Sequence, residues 1–174
     1  MSAFDRVIRR KEGPLPPGRA ARRMSAYVYG NVLVLAAVVA ATSAAIEDGQ
    51  AVLIVLGTTV STYLAHIYSE AIGHSVTDSG ENERFPEELR DAVPILSSGG
   101  VPIAALLLCW LDVLPAEVSQ IIAGGVIVIR LASVGVWVER LHGNRPSWRM
   151  ITIGLVSAAF CAVIVFIKVF FVGH

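Results

Sequence analysis

Five long apolar stretches recur along this chain, separated by polar segments. They cover about residues 26–46, 51–73, 92–111, 116–138 and 150–172. A helix rises 1.5 Å per residue, so roughly 20 apolar residues cross a hydrocarbon core about 30 Å thick. The pattern predicts an all-α protein: an integral membrane bundle of five transmembrane helices. Residues 1–25 read as a basic tail, with a surface-lying amphipathic helix or a disordered arm as its two forms. Residues 26–174 read as the five-span domain. The first apolar run is too long for the core of a cleaved leader, so it is read as a span.

The polar segments between the runs set the connections. Glu47-Asp48-Gly49-Gln50 is a tight turn, which makes the first two spans antiparallel neighbours. The longest connection, His74 to Asp91, is acidic. Within it, Phe85-Pro86-Glu87-Glu88 has the marks of a helix start, with proline and acids in the first turn. Pro94, Gly99, Gly100 and Pro102 predict a kinked or broken first half of the third span. Asp112 to Glu117 is a short turn, and Glu139 to Arg149 is a basic loop. Gly154, Ala158 and Ala162 recur every four residues in the last span, a pattern that favours close helix contact.

The second span departs from the others. Thr59, Thr62, Tyr63, His66, Ser69, Glu70 and His74 recur at three- and four-residue steps and so share one stripe of a helix. Leu53, Leu56, Val60, Leu64, Ile67 and Ala71 cover much of the remainder. Ionisable groups at membrane depth are costly, and they generally face a bundle interior or a water-filled cavity.

Composition supports a membrane setting. The 174 residues are 55% apolar and 16% charged, with a mean hydropathy of +0.65. The formal net charge is zero, but the cations are segregated. Arg6, Arg9, Arg10, Lys11, Arg19, Arg22, Arg23, Arg84, Arg90, Arg140, Arg145 and Arg149 all fall on one set of flanks. The opposite flanks carry no Lys or Arg outside the spans. The positive-inside rule then puts the N-terminus in the cytoplasm and His174 outside, in a plasma (inner) membrane of bacterial type. Tyr27, Tyr29, Tyr68, Trp110 and Trp148 read as interfacial anchors. Cys109 and Cys161 lie far apart in apolar runs and read as small hydrophobes.

The candidate chemistry is concentrated in the half of the membrane nearer the basic flanks. Thr59, Thr62, Tyr63, His66, Glu70 and Arg130 are the candidate transport or pore-lining residues, supported by Asn31, Ser97 and Ser98. Arg130 is expected to pair with Glu70, because an unpaired guanidinium in hydrocarbon costs about 2.5–3.5 kcal/mol on insertion scales. His66 would then stand beside a charged pair, and histidine responds to physiological pH. A weaker metal reading takes His66, Glu70 and His74 as ligands for a divalent ion carried as cargo. Three positions over eight residues of one helix cannot all reach one ion without distortion. No H-E-x-x-H motif supports a zinc protease.

Three classes of function fit this pattern. The first is a channel or transporter for protons or cations, with a homo-oligomer supplying the pore. The second is a non-transporting membrane subunit that binds or regulates a partner. The third is a membrane enzyme acting on lipid headgroups, with His66 or Glu70 as general base. No nucleophile motif or phosphate loop favours the third, so no catalytic residues are assigned and the expectation is of a non-enzyme. The lipid bilayer is the expected partner, with no role for nucleic acid.

Overall fold

Why this sequence forms a bundle is visible in a computed structural model. It describes residues 9–10, 13–14, 17–76 and 85–141, together with the isolated helical positions 152, 156, 159 and 163. The order is β1 (Arg9–Arg10), β2 (Gly13–Pro14), α1 (Pro17–Ala40), α2 (Ser43–Glu47), α3 (Gln50–Val76), α4 (Phe85–Trp110) and α5 (Ala116–Leu141). The two short strands pair antiparallel, Arg9 opposite Pro14 and Arg10 opposite Gly13. An amphipathic helix through Arg9 and Arg10 is therefore not formed. Everything else described is helix, turn or short linker. Four helices are long and apolar enough to cross a membrane, over Gly18–Ala40, Gln50–Gly73, Leu89–Trp110 and Ala116–Val134.

The first span is displaced from where hydropathy puts it. α1 starts at Pro17, a residue suited to a first helical turn, and absorbs Arg19, Arg22 and Arg23 from the supposed tail. It ends at Ala40, not at 46. Thr42 then caps a separate short helix, accepting from the Ala45 N–H at 3.2 Å. Gln120 of α5 donates to the carbonyls of Val38 and Ala41, both at 3.0 Å. The Ala41 carbonyl stands beyond the helix end, where no following turn satisfies it; that of Val38 also accepts from the Ala41 N–H at 3.3 Å. Asp48 and Gly49, the latter at φ +75°, then turn the chain into α3. The Trp110 ring lies against Gly49, where a Cβ would stand 2.9 Å from it.

Of the two forms expected for the third span, kinked or broken, α4 does not take the broken one. It is one continuous helix through both Pro94 and Pro102. Both prolines are buried inside the bundle, where neighbouring helices support the turns whose N–H groups they lack. α4 ends in a Schellman arrangement, with Val113 N–H on the Leu108 carbonyl at 2.9 Å and Asp112 N–H on Cys109 at 2.8 Å. Asp112 takes the left-handed position at φ 56°.

The side-by-side pair α1 and α4 forms the centre. α3 packs on both from one flank and α5 on both from the other, while α3 and α5 hardly touch. Contacts give the directions. Arg19 meets Asp91 and Gly30 meets Ile95, so α1 and α4 run parallel. Thr59 meets Gly99, Ser119 meets Ala105 and Arg130 meets Ser97, so the flanking helices run against them. Two glycines bring the backbones close. A Cβ on Gly30 would meet the Ile95 Cα at 3.0 Å, and one on Gly99 would overlap Thr59 Oγ1. Small residues at such crossings let apolar helices gain packing where lipid removes the hydrophobic drive.

Val34, Val38, Ile46, Val55, Leu106 and Ile127 form the main core, towards the Ala40 end. Ala26, Ile67, Ala92 and Ile95 form a smaller one towards the Arg19 end. Polarity is reversed relative to a water-soluble protein. Ile121 and Ile129 are 72% and 70% exposed, while Asn31, Ser98 and Ser119 are completely buried. An exterior of large aliphatics over a polar interior suits hydrocarbon, not water. Of the expected fifth span, only Thr152, Val156, Ala159 and Val163 are described; they are helical and exposed.

Candidate functional site

Most of the expected polar stripe of α3 turns towards the bundle, but Ser69 is exposed. Thr59 and Thr62 are buried, and Tyr63, His66 and Glu70 are half-buried. Leu53, Leu56, Val60, Leu64 and Ile72 face outward. Ile67, expected on the outer face, is buried against Ala26, Ala92 and Ile95. The stripe thus becomes more open from Thr59 towards the Arg19 end. In the other direction it stops: one turn beyond Thr59 the same face continues as Val55 and Ala51, both fully buried in the apolar core.

The hydroxyls along this face are held by backbone. Thr59 Oγ1 donates to the Val55 carbonyl at 2.7 Å. Tyr63 OH reaches across to the Leu89 carbonyl of α4 at 3.4 Å, a long contact of modest strength. Ser97 and Ser98 donate to Pro94 and Ile95 of their own helix at 2.7 and 2.6 Å. Such bonds to the preceding turn keep a hydroxyl satisfied where water is absent. Asn31 of α1 donates to the Tyr27 carbonyl at 2.8 Å, but its Oδ1 is buried with no partner. Among the described residues, no group hydrogen-bonds His66.

Arg130 does not pair with Glu70. Their helices lie on opposite flanks of α1 and α4, so the central pair stands between them. Arg130 instead donates to the Ser97 carbonyl at 3.0 Å. That carbonyl lies between Pro94 and Pro102, next to the Ser98 carbonyl that Pro102, lacking an N–H, leaves without its helical donor. Glu70 is engaged elsewhere. Tyr27, expected at the membrane surface, is buried, whereas Tyr29, Tyr68 and Trp110 are exposed. Trp148 and Cys161 lie outside the described residues; Cys109 is buried.

The fold also makes a site that hydropathy hid. Arg19 grips Asp91 with two hydrogen bonds, Nε to Oδ2 at 3.0 Å and NH2 to Oδ1 at 3.1 Å. Arg23 Nε stands 3.9 Å from Asp91 Oδ1. All three side chains are less than a fifth exposed. The sequence reading put the arginines in a tail and the aspartate in a loop, because charge lowers local hydropathy. The signal available was Pro17 with Arg19 and Arg23 four residues apart, one face of a helix begun early.

Among the described residues, no three His, Cys, Asp or Glu side chains gather as metal ligands. The His74 side chain lies outside the described residues, so the set His66, Glu70 and His74 stays an expectation. The architecture and polarity define a multi-pass helical membrane protein. Comparison with protein-family models, curated proteins and solved structures gave no match. The functional argument therefore rests on the chemistry of this chain alone.

Proposed function

We propose that the chain is a small membrane transporter for protons or cations whose route follows α3 from the Arg19 end. One observation carries the reading: Thr59, Thr62, Tyr63, His66 and Glu70 are buried or half-buried against the bundle, while Leu53, Leu56, Val60 and Leu64 of the same helix face outward. His66 and Glu70 would exchange or bind the ion; Tyr63 and the threonines would line its way. Above Thr59 the interior is closed by Val38, Ile46, Val55 and Leu106. A closed apolar half fits a carrier, which opens to one side at a time, better than a continuously open channel. Arg130 drops out of this route. It lies on the other flank, and its positive charge would repel a cation. The Arg19 end is the cytoplasmic end by the distribution of Lys and Arg. A homo-oligomer remains part of the proposal as a source of further lining residues, and a divalent metal would be cargo.

The test is flux in liposomes holding the purified protein, with separate internal dyes for pH and divalent cations. The expected result is flux that His66→Ala and Glu70→Gln both abolish and Arg130→Gln spares. Absence of flux for every ion across a pH range would reject transport. It would favour a subunit that binds or regulates a partner. That second reading has one observation of its own: the hydroxyls of Thr59, Ser97 and Ser98 all serve their own helices. No observation favours the lipid-headgroup enzyme.

A further inference from the structure

Among the described side chains at the Arg19 end, cations outnumber acids. The described side chains there include Arg19, Arg22, Arg23 and Arg90 against Glu70 and Asp91. Arg19 and Asp91 satisfy each other through a two-point grip. Arg23 is the group left over. Its Nε is buried and donates to nothing. Asp91 lies 3.9 Å away, beyond hydrogen-bond distance, with both oxygens already accepting from Arg19. A buried guanidinium N–H without an acceptor is unfavourable, and an anion can complete it. The side chain keeps 14% of its surface exposed, which leaves an approach. Arg22, next in sequence, is exposed and can close on the same group.

Depth narrows the chemistry. Arg23 lies five residues inside the span Gly18–Ala40, about 8 Å along the helix. A guanidinium there extends towards the headgroup layer, where phosphates stand. Its planar fork matches two oxygens of one phosphate. We propose that Arg23, with Arg22, forms a binding site for a phosphate-type anion, supplied by an anionic lipid headgroup or by free phosphate. The site is independent of the α3 route, since neither arginine lies on it.

Thermal unfolding of the full chain in neutral detergent tests this. Phosphatidylglycerol, phosphatidylcholine and inorganic phosphate are added separately to the parent and to Arg23→Gln. Phosphatidylglycerol is expected to raise the parent Tm by about 5 °C, with less than half that rise in Arg23→Gln and none with phosphatidylcholine. A rise with inorganic phosphate that Arg23→Gln also loses would identify free phosphate as a ligand. Equal rises in parent and variant, or no rise with either anion, would overturn the proposal. Should Arg23→Gln fail to fold, Arg23→Lys keeps the charge but loses the fork. Native mass spectrometry should then count fewer retained phosphatidylglycerol molecules on it than on the parent; equal retention would overturn the site.

Discussion

α3 and α5 look alike as sequences and differ in how their polar residues are used. Both are 26 or 27 residues long, both flank the central α1–α4 pair, and both show large aliphatics to the outside. On α5, Ser119, Gln120 and Arg130 each donate to a main-chain carbonyl of a neighbouring helix: Ala105, Val38 with Ala41, and Ser97. Those residues tie the bundle together. On α3, Thr59 bonds within its own helix, Tyr63 makes one long contact, and no group hydrogen-bonds His66 among the described residues. A polar residue in a membrane helix is therefore not by itself a functional mark. What distinguishes the two flanks, among the described residues, is how many polar side chains bond to the main chain of a neighbouring helix.

The largest expected effect lies in the centre that both flanks share. Asp91→Asn would remove the carboxylate charge that Arg19 grips and that Arg23 stands beside, and should cost about 3–5 kcal/mol. Thermal unfolding in detergent would read this as a drop of roughly 10 °C; a change within a degree would show that the clasp is ornamental. Next, Gly99→Val should cost about 3 kcal/mol by driving into Thr59. Thr59→Gly in the same chain should recover part of that loss, and absence of any recovery would mean that α3 does not cross α4 there. Gln120→Leu should cost about 1–2 kcal/mol, since the Ala41 carbonyl loses its donor and the Val38 carbonyl loses one of two. A neutral result would remove the bracing role given to α5. The smallest effect on stability belongs to α3. His66→Ala should alter unfolding by less than about 0.5 kcal/mol and yet abolish flux. A large loss of stability would make His66 a packing residue, and the contrast between the flanks would fail.

Much of the architecture was legible in the sequence because hydrocarbon imposes a simple rule on length and polarity. Four of the five expected spans correspond to described helices; of the fifth, only isolated positions are described. The inward turn of the α3 stripe followed from its spacing alone, since a three- and four-residue repeat places side chains on one face whatever that face meets. Boundaries were less legible. Hydropathy discounts charged residues, so it began the first span at 26, although the helix starts at Pro17. It could not anticipate that Asp91 would make Arg19 acceptable inside the bundle. Pro94 and Pro102 signalled a kink or break because an isolated helix would lose those hydrogen bonds; packed between α1, α3 and α5, α4 runs through.

The sequence by itself determined that this is a helical membrane protein with one unusually polar span, because periodicity and transfer energies act along the chain. Which residues meet was decided by the tertiary structure alone. Glu70 and Arg130 matched in depth and charge, and depth is a coordinate along the membrane normal that hydropathy supplies. Adjacency lies in the membrane plane, where the close crossings at Gly30 and Gly99 and the braces from Gln120 and Arg130 fix the order of helices. They set α1 and α4 between the two charges, and a side chain cannot reach through a packed helix.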